Sequence, residues 1–167
     1  SVTKSGKINL ISDIDFTNKY DASTQVKIEG AKFISNRNFV DGDEVNVKLY
    51  NAKNGQKDGE AIDSVPVEIE TGKSKGTYAL NVINYTLAGI GGAGASKTYN
   101  YIVEEEVIKM DGTAPTVKSH KIDITVADAT SDELAITAVV VDDTNDVTAS
   151  VTKSGKINLI SDIDFTN

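Results

Sequence analysis

Cysteine and tryptophan are both missing from this 167-residue sequence. Without cysteine the chain has neither disulfides nor thiolate metal ligands. Without tryptophan it lacks a large aromatic surface for stacking on sugars, although six tyrosines remain. A single histidine, His120, is too little for a multi-histidine metal site, and we expect it to face solvent.

Long apolar runs and an excess of basic residues are missing too. No run approaches the roughly 20 apolar residues that cross a bilayer, so we expect no membrane insertion. The 25 acidic residues outnumber the 17 basic ones, and the net charge of -8 argues against a nucleic-acid partner. No GxSxG nucleophile elbow occurs either. The composition therefore predicts a protein that is not an enzyme, with a chain long enough for one good core.

The most informative feature that is present is an exact repeat. The first 18 residues, Ser1 to Asn18, return unchanged as the last 18, Ser150 to Asn167. Folding does not require identity at every surface position, so the repeat indicates a tandem duplication or a strand that was deliberately appended to complete an edge. Because a fixed long period is typical of arrays of similar units, we interpret residues 1–149 as one period and 150–167 as the start of the next.

Alternating apolar and polar residues dominate the remaining sequence and predict strands. Turn clusters such as 51–59 separate them at short intervals, which favours an all-β antiparallel β-sandwich over a parallel α/β sheet. The parity of the apolar residues changes at Gly30, where we expect a β-bulge, and we expect the glycine-rich stretch 87–96 to be a flexible surface loop. About nine strands are predicted, chiefly in 7–16, 26–33, 45–49, 65–69, 78–82, 99–103, 122–126 and 134–141.

Three phrases resemble bacterial immunoglobulin-like repeats. Residues 110–117 (MDGTAPTV) contain the DxTAPTV junction that opens many such repeats, residues 136–151 are similar to their second strand and turn, and residues 76–82 (GTYALNV) to a late strand. The resemblance implies Ig-like modules of extracellular bacterial or archaeal cell-surface proteins, such as S-layer proteins and adhesins. It also sets the predicted domains: a main Ig-like body in 1–110, a linker and strands of the next or permuted module in 111–149, and the opening strand of the next unit in 150–167.

If the natural module begins near Thr113, the chain is cut inside a module and its two 18-residue copies compete for one place in the sheet. One copy then pairs within its own chain, and the other is left to fill the same place in a neighbour. Adding a strand completes a row of backbone hydrogen bonds, and head-to-tail contacts that do not close make filaments. The hypothesis is therefore assembly with copies of itself through a donated strand. Its apolar face comprises Ile8, Leu10, Ile14 and Phe16 in the first copy, and Ile157, Leu159, Ile163 and Phe165 in the second.

Acidic clusters suggest calcium, a cation that prefers several oxygen ligands. The first cluster is Asp142, Asp143, Asn145 and Asp146, and the second contains Asp41 and Asp43. The alternative for each is an Asx turn, which needs only an Asp or Asn beside a free backbone NH.

Two further expectations concern strand 99–106. If Tyr101 and Val103 face the core, Glu105 is the inward residue of its three-glutamate run, where it is a candidate for assisting a lysine–asparagine isopeptide bond, a cross-link known in surface Ig-like domains. The sequence does not select the lysine or the asparagine.

The alternative function is a ligand-binding adhesin domain, in which the glycine-rich loop and Tyr99 or Tyr101 contact a glycan or protein.

Overall fold

Two β-sheets face each other across one hydrophobic core in the computed structural model, which describes residues 2–11, 21–112, 118–129 and 131–167. The all-β sandwich predicted from the alternation is thus confirmed. The strands are β1 Val2–Ser5, β2 Ile8–Ile11, β3 Ser23–Phe33, β4 Glu44–Lys53, β5 Gln56–Lys57, β6 Asp63–Pro66, β7 Lys75–Ala79, β8 Ile83–Thr86, β9 Ser96–Lys109, β10 Lys118–Asp128, β11 Leu134–Val141, β12 Asn145–Asp146, β13 Thr152–Ser154, β14 Ile157–Ile160 and β15 Phe165–Thr166.

The first sheet has the order β12-β11-β10-β9-β4-β5, with β6 also paired to β4. Buried and more exposed residues alternate along its long strands as expected. On β4, for example, Val45, Val47 and Leu49 point to the core and are at most 1% exposed. Strands β9 and β10 pair along most of their length. The segment 111–149, predicted as the linker and strands of the next module, therefore contributes β10 to β12 to the same sheet as β4 and β9. How modules divide in a longer chain stays a prediction.

The second sheet is organised around β3. Strands β8 and β14 pair with the first half of β3, and β7 and β15 pair with the second half. Both β14 and β15 run parallel to β3, although every other paired strand is antiparallel to its neighbour among the residues that the structure describes. A parallel neighbour requires a long connection, and here nearly the whole sandwich separates β3 from β14.

The described strands are more numerous than the nine expected, because turns and bends divide several runs, while β4, β9 and β10 are longer than their predicted ranges. Residues 150–167, for instance, form three strands. The glycine-rich stretch begins with a helical turn, α1 Leu87–Ile90, and is not loop throughout. Thr86 caps this turn by accepting a hydrogen bond from Gly89 N, and Gly91 ends it in the left-handed conformation with φ 111. The prediction of a loop throughout 87–96 is therefore wrong for α1. Little in the sequence indicates the helical turn, because Thr86 looks like an ordinary strand residue.

The first copy of the repeat forms a hairpin of β1 and β2. Val2 faces Ile11 across it, and Gly6 in the connecting turn has φ 62, a conformation that favours glycine. Val2 is 68% exposed and Ile11 is 66% exposed. This hairpin is a sheet of two strands, separate in its pairing from the sheets of the sandwich.

Candidate functional site

The second copy of the repeat lies in a groove along β3. Besides the strand pairing, Gln25 N donates to Lys156 O at 3.1 Å, Ile163 N to Glu29 O at 3.2 Å and Asn167 N to Phe33 O at 3.1 Å. These bonds extend from one end of β3 to the other. The segment therefore follows the whole strand, and we call the cleft that it fills the β3 groove.

Three apolar side chains of this segment enter the core: Ile160 is 1% exposed, Ile163 is 3% and Phe165 is 2%. Ile163 and Phe165 were expected there, whereas Ile157 and Leu159 are only half-buried. The inward residues of β14 are instead Asn158 and Ile160. The reason is the Asn158 amide, which donates to Thr24 Oγ1 and to Gln25 O, both at 2.9 Å, and so is buried with its donors satisfied.

Between β14 and β15 the segment has one more residue than β3, because Ile160 pairs with Ile28 and Phe165 with Lys32. Asp162, in the left-handed conformation with φ 62, lies in this bulge. The Ile163 carbonyl crosses above Gly30 and accepts a hydrogen bond from Tyr78 Oη at 2.5 Å. Since a bulge in one strand re-aims its side chains, this geometry brings Ile163 and Phe165 onto the inward face.

Ala31 is buried at 5% exposure, as the parity change predicted at Gly30 requires, but the change is otherwise absent from β3. Its inward, even-numbered face continues past Gly30 to Lys32 and then to Ile34, while Phe33 is only half-buried. The irregularity lies in the neighbouring segment, where the backbone of Ile163 occupies the space that a side chain at residue 30 would take.

The same sequence has the opposite exposure in the first copy. Ile11 is 66% exposed where its counterpart Ile160 is 1% exposed, and Asn9 is exposed where Asn158 is buried. For Ile8 and Leu10 the backbone in β2 is described. Ile14 and Phe16 lie outside the described residues. One copy is thus integrated in the sandwich, and apolar surface of the other is in contact with water.

A charged cluster lies where β15 meets β3. Lys32 and Glu105 are both 0% exposed, and Lys32 Nζ lies 2.5 Å from Glu105 Oε1 and 2.5 Å from Asn167 Oδ1. The prediction that Glu105 faces inward is confirmed. Neither Glu105 oxygen nor Asn167 Nδ2 has a well-aligned hydrogen-bond partner among the described residues.

Burial lowers the pKa of the Lys32 ammonium below its ordinary range, and the neighbouring Glu105 carboxylate offsets part of that effect. Charged groups are rarely buried unless they are paired, because losing hydration costs several kcal/mol for each ion. The sequence selects neither Lys32 nor Asn167, because a lysine on a strand usually marks the wet face. The parity that Lys32 shares with Val26 and Ile28 is the signal that identifies it as inward.

His120 is partly buried and does not simply face solvent as expected. Its Nδ1 lies 2.7 Å from Asp142 Oδ2, its Nε2 lies 2.6 Å from the backbone oxygen of Asp164, and its ring centroid is 5.0 Å from that of Phe165. His120 thereby connects β10 to the segment in the β3 groove.

The first acidic cluster is used in local hydrogen bonds. Asp142 and Asp143 form the β11–β12 turn with φ 53 and 66, and Asp142 Oδ1 accepts from Lys121 N at 2.9 Å. Asp146 Oδ1 accepts from the Thr148 hydroxyl at 2.5 Å and from Thr148 N at 2.9 Å, and these two bonds, chiefly the one from the hydroxyl, lower the pKa of Asp146. Asn145 is exposed on β12. Within the described part of the chain, no three His, Cys, Asp or Glu side chains converge in a way that suits a metal ion. Calcium binding stays a prediction.

The second acidic cluster is divided, since Asp41 is exposed and the Asp43 carboxylate is buried against Arg37. Arg37 Nη1 and Nη2 donate to the two carboxylate oxygens at 2.8 and 2.9 Å, and Val40 N donates to Oδ2. Arg37 also donates to the backbone oxygen of Asp111. The pair thus links the loop before β4 to the chain after β9.

We expect Asp43→Asn to lower the free energy of unfolding by about 1.5–3 kcal/mol, the usual contribution of hydrogen bonds to charged groups. Hydrogen bonding from Arg37 lowers the pKa of Asp43, so its contribution is complete above the unfolded value of about 3.9 and is lost as the pH falls through the lower folded pKa. Urea unfolding of both proteins from pH 7 to pH 2 measures this. The deficit should shrink at low pH, and Asp41→Asn is the matched control with little effect expected at any pH.

The residues suggested for an adhesin site are mostly engaged within the fold. Tyr101 is buried, and its hydroxyl lies 2.6 Å from that of Tyr85. Tyr99 is half-buried, its ring packs against that of Tyr85 in a tilted arrangement with 4.6 Å between centroids, and its hydroxyl donates to Gly89 O. Ligand binding by these side chains stays a prediction.

The chain matches no model of a known protein family, no curated protein and no solved structure. Most of the DxTAPTV phrase, residues 113–117, lies outside the described residues. Among the helices that are described, none is long and apolar enough to cross a membrane.

Proposed function

We propose that this protein is a structural repeat module, an Ig-like β-sandwich of an extracellular surface array, stalk or filament, that assembles head to tail by donating residues 1–18 to the β3 groove of a neighbour. The observation that carries the proposal is the contrast between the copies, namely Ile160 at 1% and Ile11 at 66% exposure. An identical sequence that one site buries can be bound by the same site in another chain.

The groove offers enough binding energy for a stable connection. Burying Ile160, Ile163 and Phe165 contributes roughly 1.5–3 kcal/mol for each side chain. The segment also completes a ladder of backbone hydrogen bonds along β3, which is the usual basis of strand addition. A donated first copy would present the same residues in the same order.

Chain length argues that the first copy serves a neighbour and not its own groove. In the register of the second copy, Asn18 would lie beside Phe33, ten residues along β3 from Ser23, or about 33 Å away at the usual strand rise. The five peptide steps from Asn18 to Ser23 span at most about 18 Å. The first copy therefore cannot fill the groove of its own chain in that register, and a head-to-tail contact of this kind leads to an open filament.

The test is a chain that ends at Ala149, which keeps the donor segment and empties the groove. We expect it to form open-ended oligomers whose size grows with concentration, measured by light scattering. A chain of residues 19–167 is the matched control, since its groove is filled and its donor is absent, and it should stay monomeric. A synthetic peptide of residues 1–18 should cap the oligomers.

The substitution Ile11→Asp sharpens the test, because Ile11 would take the fully buried place of Ile160. In the chain ending at Ala149 it should abolish oligomers, whereas Lys7→Asp should not, since its counterpart Lys156 is exposed. A shortened chain that remains a folded monomer at every concentration would refute strand donation.

A further inference from the structure

Lys32, Asn167 and Glu105 bring together an amine, a carboxamide and a carboxyl group without competing partners. Lys32 Nζ contacts Asn167 Oδ1 and Glu105 Oε1, each at 2.5 Å. The leaving nitrogen, Asn167 Nδ2, is buried without a hydrogen-bond partner among the described residues. An ion pair alone would not need the amide, and an amide serving only as a hydrogen-bond acceptor would usually have its own donors satisfied.

We propose that Lys32 and Asn167 condense into an intramolecular isopeptide bond, with Glu105 as the proton carrier. Lys32 Nζ, as the neutral amine, adds to Asn167 Cγ and forms a tetrahedral intermediate. The Cγ–Nδ2 bond then breaks, Nδ2 leaves as ammonia, and Cγ remains bonded to Nζ. Glu105 takes the proton that Nζ loses and delivers it to Nδ2, so that atoms and electrons balance without an oxidant, a metal or a second reactant.

The surroundings favour each part of this reaction. Because burial favours the neutral form of Lys32, the attacking amine is available more readily than on a solvated lysine. Lys32 and Glu105 are 0% exposed, which limits the competing attack of water on the Asn167 carboxamide. Holding an amine against its target amide also removes most of the entropic cost of a bimolecular reaction.

The position of the bond gives it a mechanical role. Asn167 is the end of the segment that fills the β3 groove, and Lys32 lies on β3 itself, so the bond would fix the segment to the strand that it pairs with. In the first copy Asn18 holds the place of Asn167. If residues 1–18 of a neighbour fill the groove, an extension that rests on the proposed function, the same reaction joins two chains covalently.

The test is the intact mass of the full 167-residue chain after denaturation. We expect the protein to be lighter than its sequence by one ammonia, and a protease digest to contain a branched peptide joining residue 32 to residue 167. The variants Lys32→Arg, Glu105→Gln and Asn167→Ala should all keep the full mass. Lys27→Arg, on the same strand, is the matched control and should still lose ammonia.

The branched peptide shows whether the isopeptide bond forms in the wild type, and this result does not depend on how well the variants fold. Asn54 precedes Gly55, and such a pair also loses ammonia by forming a succinimide, but that loss would persist in Lys32→Arg. A folded wild-type chain of full mass, or one without the branched peptide, would overturn the proposal.

A second arm separates this bond from strand donation. Oligomers of the chain ending at Ala149 are heated in detergent: a ladder of multimers that Lys32→Arg abolishes supports a bond between Asn18 and Lys32. Oligomers that form in solution but dissociate completely in detergent would overturn the intermolecular bond and leave strand donation intact.

Discussion

Glu105→Leu should lower the free energy of unfolding by about 3–5 kcal/mol, the usual result of removing one member of a buried ion pair. Lys32 would remain fully buried beside a leucine, with no carboxylate to compensate its charge. Lys32 would then lose its proton in the folded state or draw water into the core, and either response costs stability. Chemical denaturation of the purified variant measures the effect.

A second substitution distinguishes a lost charge pair from a lost covalent bond. Lys32→Met in the Glu105→Leu background removes the unpaired charge and leaves an apolar pair, which is often as stable as the ion pair it replaces. We expect the double variant to lie between the single variant and the wild type. The intact mass of the wild type, measured beside it, tells whether the difference that remains includes a lost covalent bond, and a double variant no more stable than Glu105→Leu would contradict the charge argument.

The pH dependence of the stability of Glu105→Leu independently tests whether an unpaired, buried Lys32 destabilises the variant. Burial lowers the folded pKa of Lys32, and without Glu105 the attraction that offsets part of that effect is lost. Between this lowered pKa and the unfolded value of about 10.4, the unfolded state binds more protons than the folded state, so stability rises with pH across that window. The double variant, which lacks the lysine, should not show this rise.

Local patterns predict the individual strands of this fold well. Val45, Val47 and Leu49 alternate with polar residues and are buried as expected, and the same counting along β9 identifies Glu105 as inward. Both predictions need only the two-residue period of a strand. They succeed because the alternation within one strand is sufficient to identify the face that points to the core.

The partners of β3 could not be predicted in the same way. Lys32 looks like a solvent-facing residue until the parity of Val26 and Ile28 is followed through Gly30, and its contacts lie on β9 and directly after β15. Nor does the pattern of the repeat reveal that Asn158 and Ile160, not Ile157 and Leu159, face the core. That choice depends on the amide partners Thr24 and Gln25, which are distant in sequence.

Gly30→Ala should have an effect whose sign depends on whether the β3 groove is occupied. A Cβ atom at residue 30 would lie 2.0 Å from the Ile163 carbonyl oxygen and 2.6 Å from its carbon. Backbone atoms cannot yield as a flexible side chain does, so the segment must move away from β3. The displacement breaks the Tyr78–Ile163 hydrogen bond and that of Ile163 N to Glu29 O. We therefore expect the full chain to lose at least 1–3 kcal/mol of stability, the usual cost of overpacking.

The opposite effect is expected where the groove is empty. Glycine in a strand interior is less favourable than alanine by roughly 0.5–1 kcal/mol, so Gly30→Ala should be neutral or slightly stabilising for the fold of the chain ending at Ala149. The same substitution should nevertheless weaken its oligomers, because the neighbour's Ile14 would meet the new methyl group as Ile163 does. Lys27→Ala on the same strand is the control that should leave assembly unchanged. A Gly30→Ala chain that polymerises as readily as the unmodified one would show that the donated segment does not follow the path of residues 150–167, since that path passes directly over residue 30.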